Sequence, residues 1–404
     1  MHIGIFGRRN AGKSSLINAL ANQPLAVVSP VPGTTTDPVY KAMEILPIGP
    51  VVLIDTAGLD DSGDLGELRM AKSMEVLRRT DIAVLVVDGR DEPGEFEDNI
   101  LRKLREKGVP AVGAVNKTDL GPAAGTIAWF DHRGVPTVSV SAQSGRGLEE
   151  LKGLLINHNP SPEKARPILG DLIRPEDPVV LVIPIDKAAP KGRLILPQVQ
   201  TLRDILDYNG IAVTVKEDRL ADALASMSRP PGLVVTDSQA FKAVAEVVPE
   251  EIPLTSFSVL YARCKGDLRI LAEGALHIKD LVPGDRVLVA EGCTHHRQSD
   301  DIGRVKIPRW LSAHVGGELD FTWTNGYGFP ADLKGYRMVI HCGACMLNRQ
   351  EMMYRLKEIS SLDVPVVNYG VLIANLHGIL DRVLRPFPEV KDLLKLGGAI
   401  SDIS

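Results

Sequence analysis

Cysteine is scarce in this chain: four residues in 404, too few and too scattered for a disulfide framework, so a reducing, cytoplasmic setting is expected. No apolar run approaches the roughly 18 residues of a membrane-spanning helix, and the start reads as a strand rather than a charged and apolar leader. Positive charge is not in excess either. With 46 Lys and Arg against 51 Asp and Glu the net charge is −5, and no basic field advertises nucleic acid. Aromatics make up only 4% of the chain, and no Arg- and Lys-rich aromatic surface for stacking bases is legible. The one basic turn, Lys187-Ala188-Ala189-Pro190-Lys191-Gly192-Arg193, reads as a solvated loop. Neither a membrane nor a nucleic acid is therefore expected as a partner. The length allows two or three domains with cores of their own.

Phosphate chemistry comes first along the chain. The apolar run Ile3-Gly4-Ile5-Phe6 leads into Gly7-Arg8-Arg9-Asn10-Ala11-Gly12-Lys13-Ser14, and a helical pattern starts at Ser15. Glycines at this spacing let backbone N–H groups fold around phosphate oxygens, while Lys13 reaches the outer phosphates and Ser14 ligates Mg²⁺. A second buried run, Val51 to Ile54, ends in Asp55-Thr56-Ala57-Gly58. There Asp55 can hold the Mg²⁺ shell and the Gly58 N–H can sense a γ-phosphate. Two further apolar runs, Ile82 to Val87 and Pro110 to Val115, read as parallel strands, and the latter ends in Asn116-Lys117-Thr118-Asp119. A carboxylate at Asp119 accepts from both N1–H and the 2-amino group of guanine, donors that adenine lacks, so the base choice is guanine. Ser141-Ala142-Gln143 follows one more strand as the last base-contacting loop. The ligand is GTP.

These motifs resemble the TrmE–Era–EngA group of translation-factor-class GTPases over about the first 155 residues. The resemblance implies that Gly33-Thr34-Thr35-Thr36-Asp37 is switch I, with Thr35 a Mg²⁺ ligand in the GTP state. Leu59 stands where Ras-like proteins place a glutamine that orients water, and a leucine cannot do so. Slow hydrolysis is expected, stimulated by K⁺: in this group a phosphate-loop asparagine, matched here by Asn10, helps to bind the ion, which takes the place of an arginine finger. Glu67, twelve residues beyond Asp55, is a further candidate for orienting water.

A proline-rich linker follows Asn157. The reading is α/β throughout, in three domains: a P-loop GTPase with a mainly parallel sheet over 1–160, an α/β interaction or dimerisation module over 168–262, and a C-terminal α/β metal domain over 263–404. The middle region offers strands at 179–185, 211–215 and 232–236 and a helix at 200–208, with no metal-ligand or nucleophile constellation.

The third region holds the second chemical signal. Cys293-Thr294-His295 lies after the strand Arg286 to Ala290, and His341-Cys342-Gly343-Ala344-Cys345 follows the strand Tyr336 to Ile340. Three of the four cysteines thus sit at two strand ends, separated by the 45 residues 296–340. Thiolates so placed seat a soft metal. Zinc held by Cys₃His and a [4Fe–4S] cluster with one exchangeable corner both satisfy the ligand count. A helix at 348–356, a strand at 365–370 and a helix at 371–378 complete the region, and the cysteines are expected at the carboxyl edge of a parallel sheet. Cys264 stands apart and reads as a buried thiol, and His377 as a helix-end residue.

The whole chain, a GTPase joined through an α/β module to C-x-H and H-C-x-x-C, resembles the [FeFe]-hydrogenase maturation GTPases. That resemblance implies a [4Fe–4S] cluster on Cys293, Cys342 and Cys345, with His295 and His341 ligating, hydrogen-bonding the cluster or shaping its loops. It also implies a homodimeric scaffold that accepts a transient diiron precursor made with two radical-SAM maturases and delivers it to apo-[FeFe]-hydrogenase. The alternative is a GTPase of tRNA modification or ribosome assembly with a structural zinc domain.

Overall fold

A computed structural model describes residues 1–21, 39–56, 76–159, 166–185, 192, 194–292, 301–325, 330 and 332–393. The chain divides into two compact units, Met1–Ala165 and Arg166–Ser404.

In the first unit six strands, β1 (His2–Phe6), β2 (Val39–Ile45), β3 (Gly49–Asp55), β4 (Ile82–Asp88), β5 (Ala111–Asn116) and β6 (Thr137–Ser139), form one sheet in the order β2-β3-β1-β4-β5-β6. Every pairing is parallel except β2 with β3. All of β4 is buried, as befits a Val- and Ile-rich strand covered on both faces. Leu16, Ile17, Leu151 and Leu155, from helices Lys13–Ala21 and Leu148–Asn157, pack with Ile3, Ile5 and Val84 on one face. On the other, Leu101, Leu104 and Phe130 from helices Glu95–Glu106 and Ala124–Asp131 meet Phe6, Ala83 and Leu85. Asp55 and Asn116, the last residues of β3 and β5, therefore open at the carboxyl edge beside the loop that leaves β1.

The second unit holds two four-stranded parallel sheets. β7 (Pro178–Val182), β8 (Ile211–Val215), β9 (Leu233–Thr236) and β10 (Leu254–Ser256) lie in the order β10-β9-β7-β8. β11 (Arg286–Glu291), β12 (Asp320–Asn325), β13 (Met338–His341) and β14 (Val366–Asn368) lie in the order β12-β11-β13-β14. A single hydrophobic core joins them, from Leu181 and Val235 through Phe257 and Leu260 to Val289, Ile340 and Leu356. Helix Phe257–Lys265 is the girder between the sheets. It touches helix Leu196–Asp207 on one side and helices Arg349–Ser360 and Tyr369–Leu376 on the other. Near its end Arg263, buried, reaches Asp171 through Nη1 (2.7 Å) and Glu389 through Nε (2.8 Å).

Three strands go beyond the sequence reading. β2 carries Lys41 and Glu44 on a half-exposed edge, β10 has only three residues, and β12 alternates threonine with aromatics instead of aliphatics. The strand expected over 365–370 stops at Asn368. Its side chain accepts from the Val371 N–H (2.9 Å) and caps helix Tyr369–Leu376. The same Asn368 donates Nδ2 to the Ser258 carbonyl (2.9 Å), while Ser258 Oγ accepts from Gly370 N–H (3.2 Å). Thus the start of the girder helix is tied to the carboxyl edge of the last sheet.

Candidate nucleotide and metal sites

The phosphate loop is shaped by two glycines and one left-handed asparagine. A Cβ on Gly7 would lie 2.3 Å from the Val86 carbonyl oxygen, and one on Gly12 2.2 Å from Asn116 Nδ2, so neither position admits a side chain. Asn10, at φ 61°, turns the loop. Lys13 Nζ donates to the carbonyls of Gly7 (2.9 Å) and Arg8 (2.7 Å), folded over the loop that it would leave for a phosphate. Ser14 Oγ donates to Asp55 Oδ2 at 2.5 Å. Burial pushes the Asp55 carboxyl up, against the opposing pull of the Ser14 hydroxyl and the Lys13 charge. Ser15 is half-buried in the first helical turn.

The base side is stitched to the same loop. Asn116 Nδ2 donates to the Ala11 carbonyl (3.0 Å), and its Oδ1 accepts from Ala142 N–H (3.1 Å). Lys117 Nζ bridges the Asn10 carbonyl (2.6 Å) and Asp88 Oδ2 (2.9 Å). Asp119 and Gln143 are exposed, where a base can meet them, while Ser141 is buried and holds the turn by accepting from Ser144 N–H (3.2 Å). The structure thus gathers Gly7, Asn10, Ala11, Gly12, Lys13, Ser14, Asp55, Asn116, Lys117, Ser141 and Ala142 at one sheet edge. Thr35, Gly58, Leu59 and Glu67 lie outside the described residues. Asp88 escaped the sequence reading. Arg90, then Lys117, holds its carboxyl far below the usual carboxylate range, against the cost of burial.

In the last sheet the chain leaves β11 to add β12 on one side and then returns to add β13 on the other, which makes the gap between β11 and β13 the topological switch point. The two cysteine loops leave at that point. The register aligns Ala290, His341 and Asn368 across three strands, and Glu291 with Asn325. One step further, Asn325, Glu291, Cys342 and Tyr369 follow as a row along the carboxyl edge. Cys342 N–H donates to the Ala290 carbonyl (2.9 Å), and Cys342 Sγ accepts from Gly292 N–H (3.0 Å) and Ala344 N–H (3.4 Å). Two backbone donors on one sulfur favour a thiolate, the form that binds metal, and Cys345 sits on the same loop, half-buried. Both cysteines fit a soft-metal site. Cys293 follows Gly292 directly but, with His295, lies outside the described residues; among those described, no three His, Cys, Asp or Glu side chains gather to hold an ion.

His341 is fully buried with both ring nitrogens engaged. Nδ1 meets the Cys342 carbonyl (3.0 Å) and Nε2 meets Arg355 Nη1 (3.1 Å). Arginine only donates, so Nε2 accepts and the proton sits on Nδ1. Burial, then the Arg355 charge, pushes the ring's pKa down to about 3, so it stays neutral. Arg355, itself held by Glu351 (2.9 Å), was missed in the sequence, although a Glu–Arg pair four residues apart on a helix is a readable signal. Cys264 lies in the last turn of the girder helix. Its thiol donates to the Arg166 carbonyl (3.5 Å), and burial raises its pKa. His377 caps helix Tyr369–Leu376 at its end, with its ring 5.6 Å from that of Trp310.

Fold and site together define a P-loop GTPase domain followed by two parallel α/β modules. Residues 2–117 match the family described as 50S ribosome-binding GTPase. Residues 168–266 match the hydrogen maturase F dimerization domain and residues 269–386 its tetramerization domain. Those two matches together take in more than half of the chain, and the chain belongs to the hydrogen maturase F family. The tRNA modification GTPase MnmE of Chromobacterium violaceum is 38% identical over 157 residues, 39% of this chain and 34% of the relative. That of Heliobacterium modesticaldum is 37% identical over 159 residues, 37% of this chain and 32% of the relative. The chain thus spans about a third of the length of these relatives. Among solved structures, a variant of Aquifex aeolicus Era bound to GDP.AlF4- is 20% identical, covering 53% of this chain and 92% of that one at a TM-score of 0.36, a likeness too slight to add to the reading.

Proposed function

We propose that this protein is a cytoplasmic GTP-hydrolysing scaffold that carries a [4Fe–4S] cluster on Cys293, Cys342 and Cys345, accepts a diiron precursor, and delivers it to apo-[FeFe]-hydrogenase. Two radical-SAM maturases are its other partners. The observation that carries this reading is the pair of N–H groups, from Gly292 and Ala344, on the Cys342 sulfur at a switch point where open α/β sheets receive ligands. Iron–sulfur chemistry, when the group is bound, supplies an exchangeable corner to which a partner's cargo can attach. His341 braces the second corner instead of ligating, since its Nε2 lone pair is committed to Arg355.

In the GTPase unit Lys13 exchanges its two loop carbonyls for the outer phosphates, Ser14, Thr35 and Asp55 hold Mg²⁺, Asp119 reads guanine, and Asn10 helps to hold K⁺. Glu67 is a candidate for orienting water, and hydrolysis removes the γ-phosphate that distinguishes the two nucleotide states. The nucleotide state then alters affinity for partners. A homodimer forms through the β8 edge of the middle sheet and the helix Leu196–Asp207 beside it, where Ile211 on the strand and Val199, Leu206 and Tyr208 on the helix and its cap are exposed. The rival reading, a GTPase of tRNA modification or ribosome assembly with structural zinc, suits the GTPase unit but has no support in residues 168–386.

The test is anaerobic reconstitution of wild type and Cys345→Ser, followed by hydrogenase activation. A brown wild type with broad blue absorption, and a variant that loses both colour and activation, is the expected result. A colourless wild type holding stoichiometric zinc, or a variant that still activates, would refute it.

A further inference from the structure

Glu291, Cys342 and Tyr369 are the residues that directly follow Ala290, His341 and Asn368, which the register aligns across three strands at the sheet's carboxyl edge. Tyr369 is 6% exposed, and its hydroxyl has no hydrogen-bond partner among the described residues. The surroundings of that hydroxyl are built closely. A Cβ on Gly303 would lie 2.1 Å from Tyr369 Oη and 2.9 Å from Glu291 Oε1, so the backbone of 303 is pressed against both. Gly303 is itself fixed: its N–H donates to Asp301 Oδ1 (2.9 Å) and its carbonyl accepts from Trp323 Nε1 (3.1 Å). A phenol is a donor at neutral pH. A buried donor held this firmly calls for an acceptor, and the Cys342 sulfur is close enough that its charge, after burial and ahead of Glu291, pushes the phenol's pKa up.

We propose that the Tyr369 hydroxyl donates a hydrogen bond to an iron-held acceptor atom beside Cys342, positioning and tuning the cluster without ligating it. This rests on the iron–sulfur reading above. The acceptor is electron-rich and iron-bound, and it has two sources: a sulfur of the cluster itself, or the exchangeable ligand at the corner that no cysteine fills.

Tyr369→Phe removes one oxygen and keeps the ring, so folding is preserved. The full-length wild type and variant are reconstituted anaerobically to equal iron content. The midpoint potential is then followed by electron paramagnetic resonance, and azide, a small iron-binding anion, is titrated in. A sulfur acceptor makes the variant's potential lower than wild type, because a hydrogen bond to sulfur stabilises the more negative, reduced cluster. An exchangeable-ligand acceptor leaves the potential unchanged and raises the azide concentration at half-saturation about tenfold. Gly303→Ala, which drives a methyl group against Oη, reproduces whichever change is seen. Iron-loaded proteins with equal potentials and equal azide binding overturn the role of Tyr369 alone. A wild type that takes up no iron overturns the underlying reading as well.

Discussion

The backbone N–H of Gly292 donates to the sulfur of Cys342 over 3.0 Å, joining two strand ends 50 residues apart in the chain. The bond exists because β13 lies against β11 although β12 intervenes in sequence. It places the residue before Cys293 against the first thiol of the second corner. The ends of β11 and β13 are thus brought together by the sheet itself.

Asn10 stands at the tip of the phosphate loop, its carbonyl held by Lys117. Phosphate release should be at least severalfold faster in K⁺ than in Na⁺, a small part of the roughly 10³- to 10⁵-fold that an arginine finger supplies. Asn10→Ala should erase that difference. Equal turnover of the wild type in the two salts would count against a K⁺ site.

Asp119 is exposed beside the ordered Asn116 and Ala142 contacts. Replacing it by asparagine sets a donor against the guanine 2-amino group. Two charge-assisted hydrogen bonds are lost, about 3 kcal/mol in all, so GTP affinity should fall roughly a hundredfold while xanthosine triphosphate gains. Competition against a fluorescent nucleotide reads both. Unchanged discrimination would remove Asp119 from the base site.

Asp88 ionises more readily in the folded protein than in the unfolded chain, owing first to Arg90 and then to Lys117. A depressed carboxyl stabilises the fold above its unfolded value, near pH 4, and that contribution disappears as pH falls toward the folded value. Asp88→Asn should therefore lower the thermal midpoint at pH 7, and the gap from wild type should narrow below about pH 4. A gap that stays constant on acidification would assign Asp88 no electrostatic role.

On the outer strand β8, Ile211 is 48% exposed. Ile211→Lys puts a charge on that edge and should turn a dimer into a monomer in light scattering at micromolar concentration. A variant that remains dimeric would move the interface elsewhere.

Much of the nucleotide site was legible because its chemistry is local: Gly7, Gly12, Lys13 and Ser14 lie in one loop, and Asn116 to Asp119 in another. The contacts that join those loops, such as Asn116 to Ala11, became visible only with the strand order. At the metal site the residue types were readable, whereas the row of Glu291, Cys342 and Tyr369 depends on register, which the apolar runs do not encode. Tyr369 was also placed inside an expected strand, since Val366 and Val367 favour one, and the capping power of Asn368 outweighed that run. In sequence, His341 beside two cysteines is open to three roles: ligand, hydrogen-bonding group or loop brace. Its engagement by Arg355 comes from packing between a strand and a later helix, which spacing cannot reveal.

Asn368 finishes a strand, begins a helix and grips Ser258, the second residue of the helix that bridges the two sheets of the second unit. The first turn of that helix and the strand end beside the Cys342 loop are therefore clamped to each other, so a displacement of either is handed on to its neighbour.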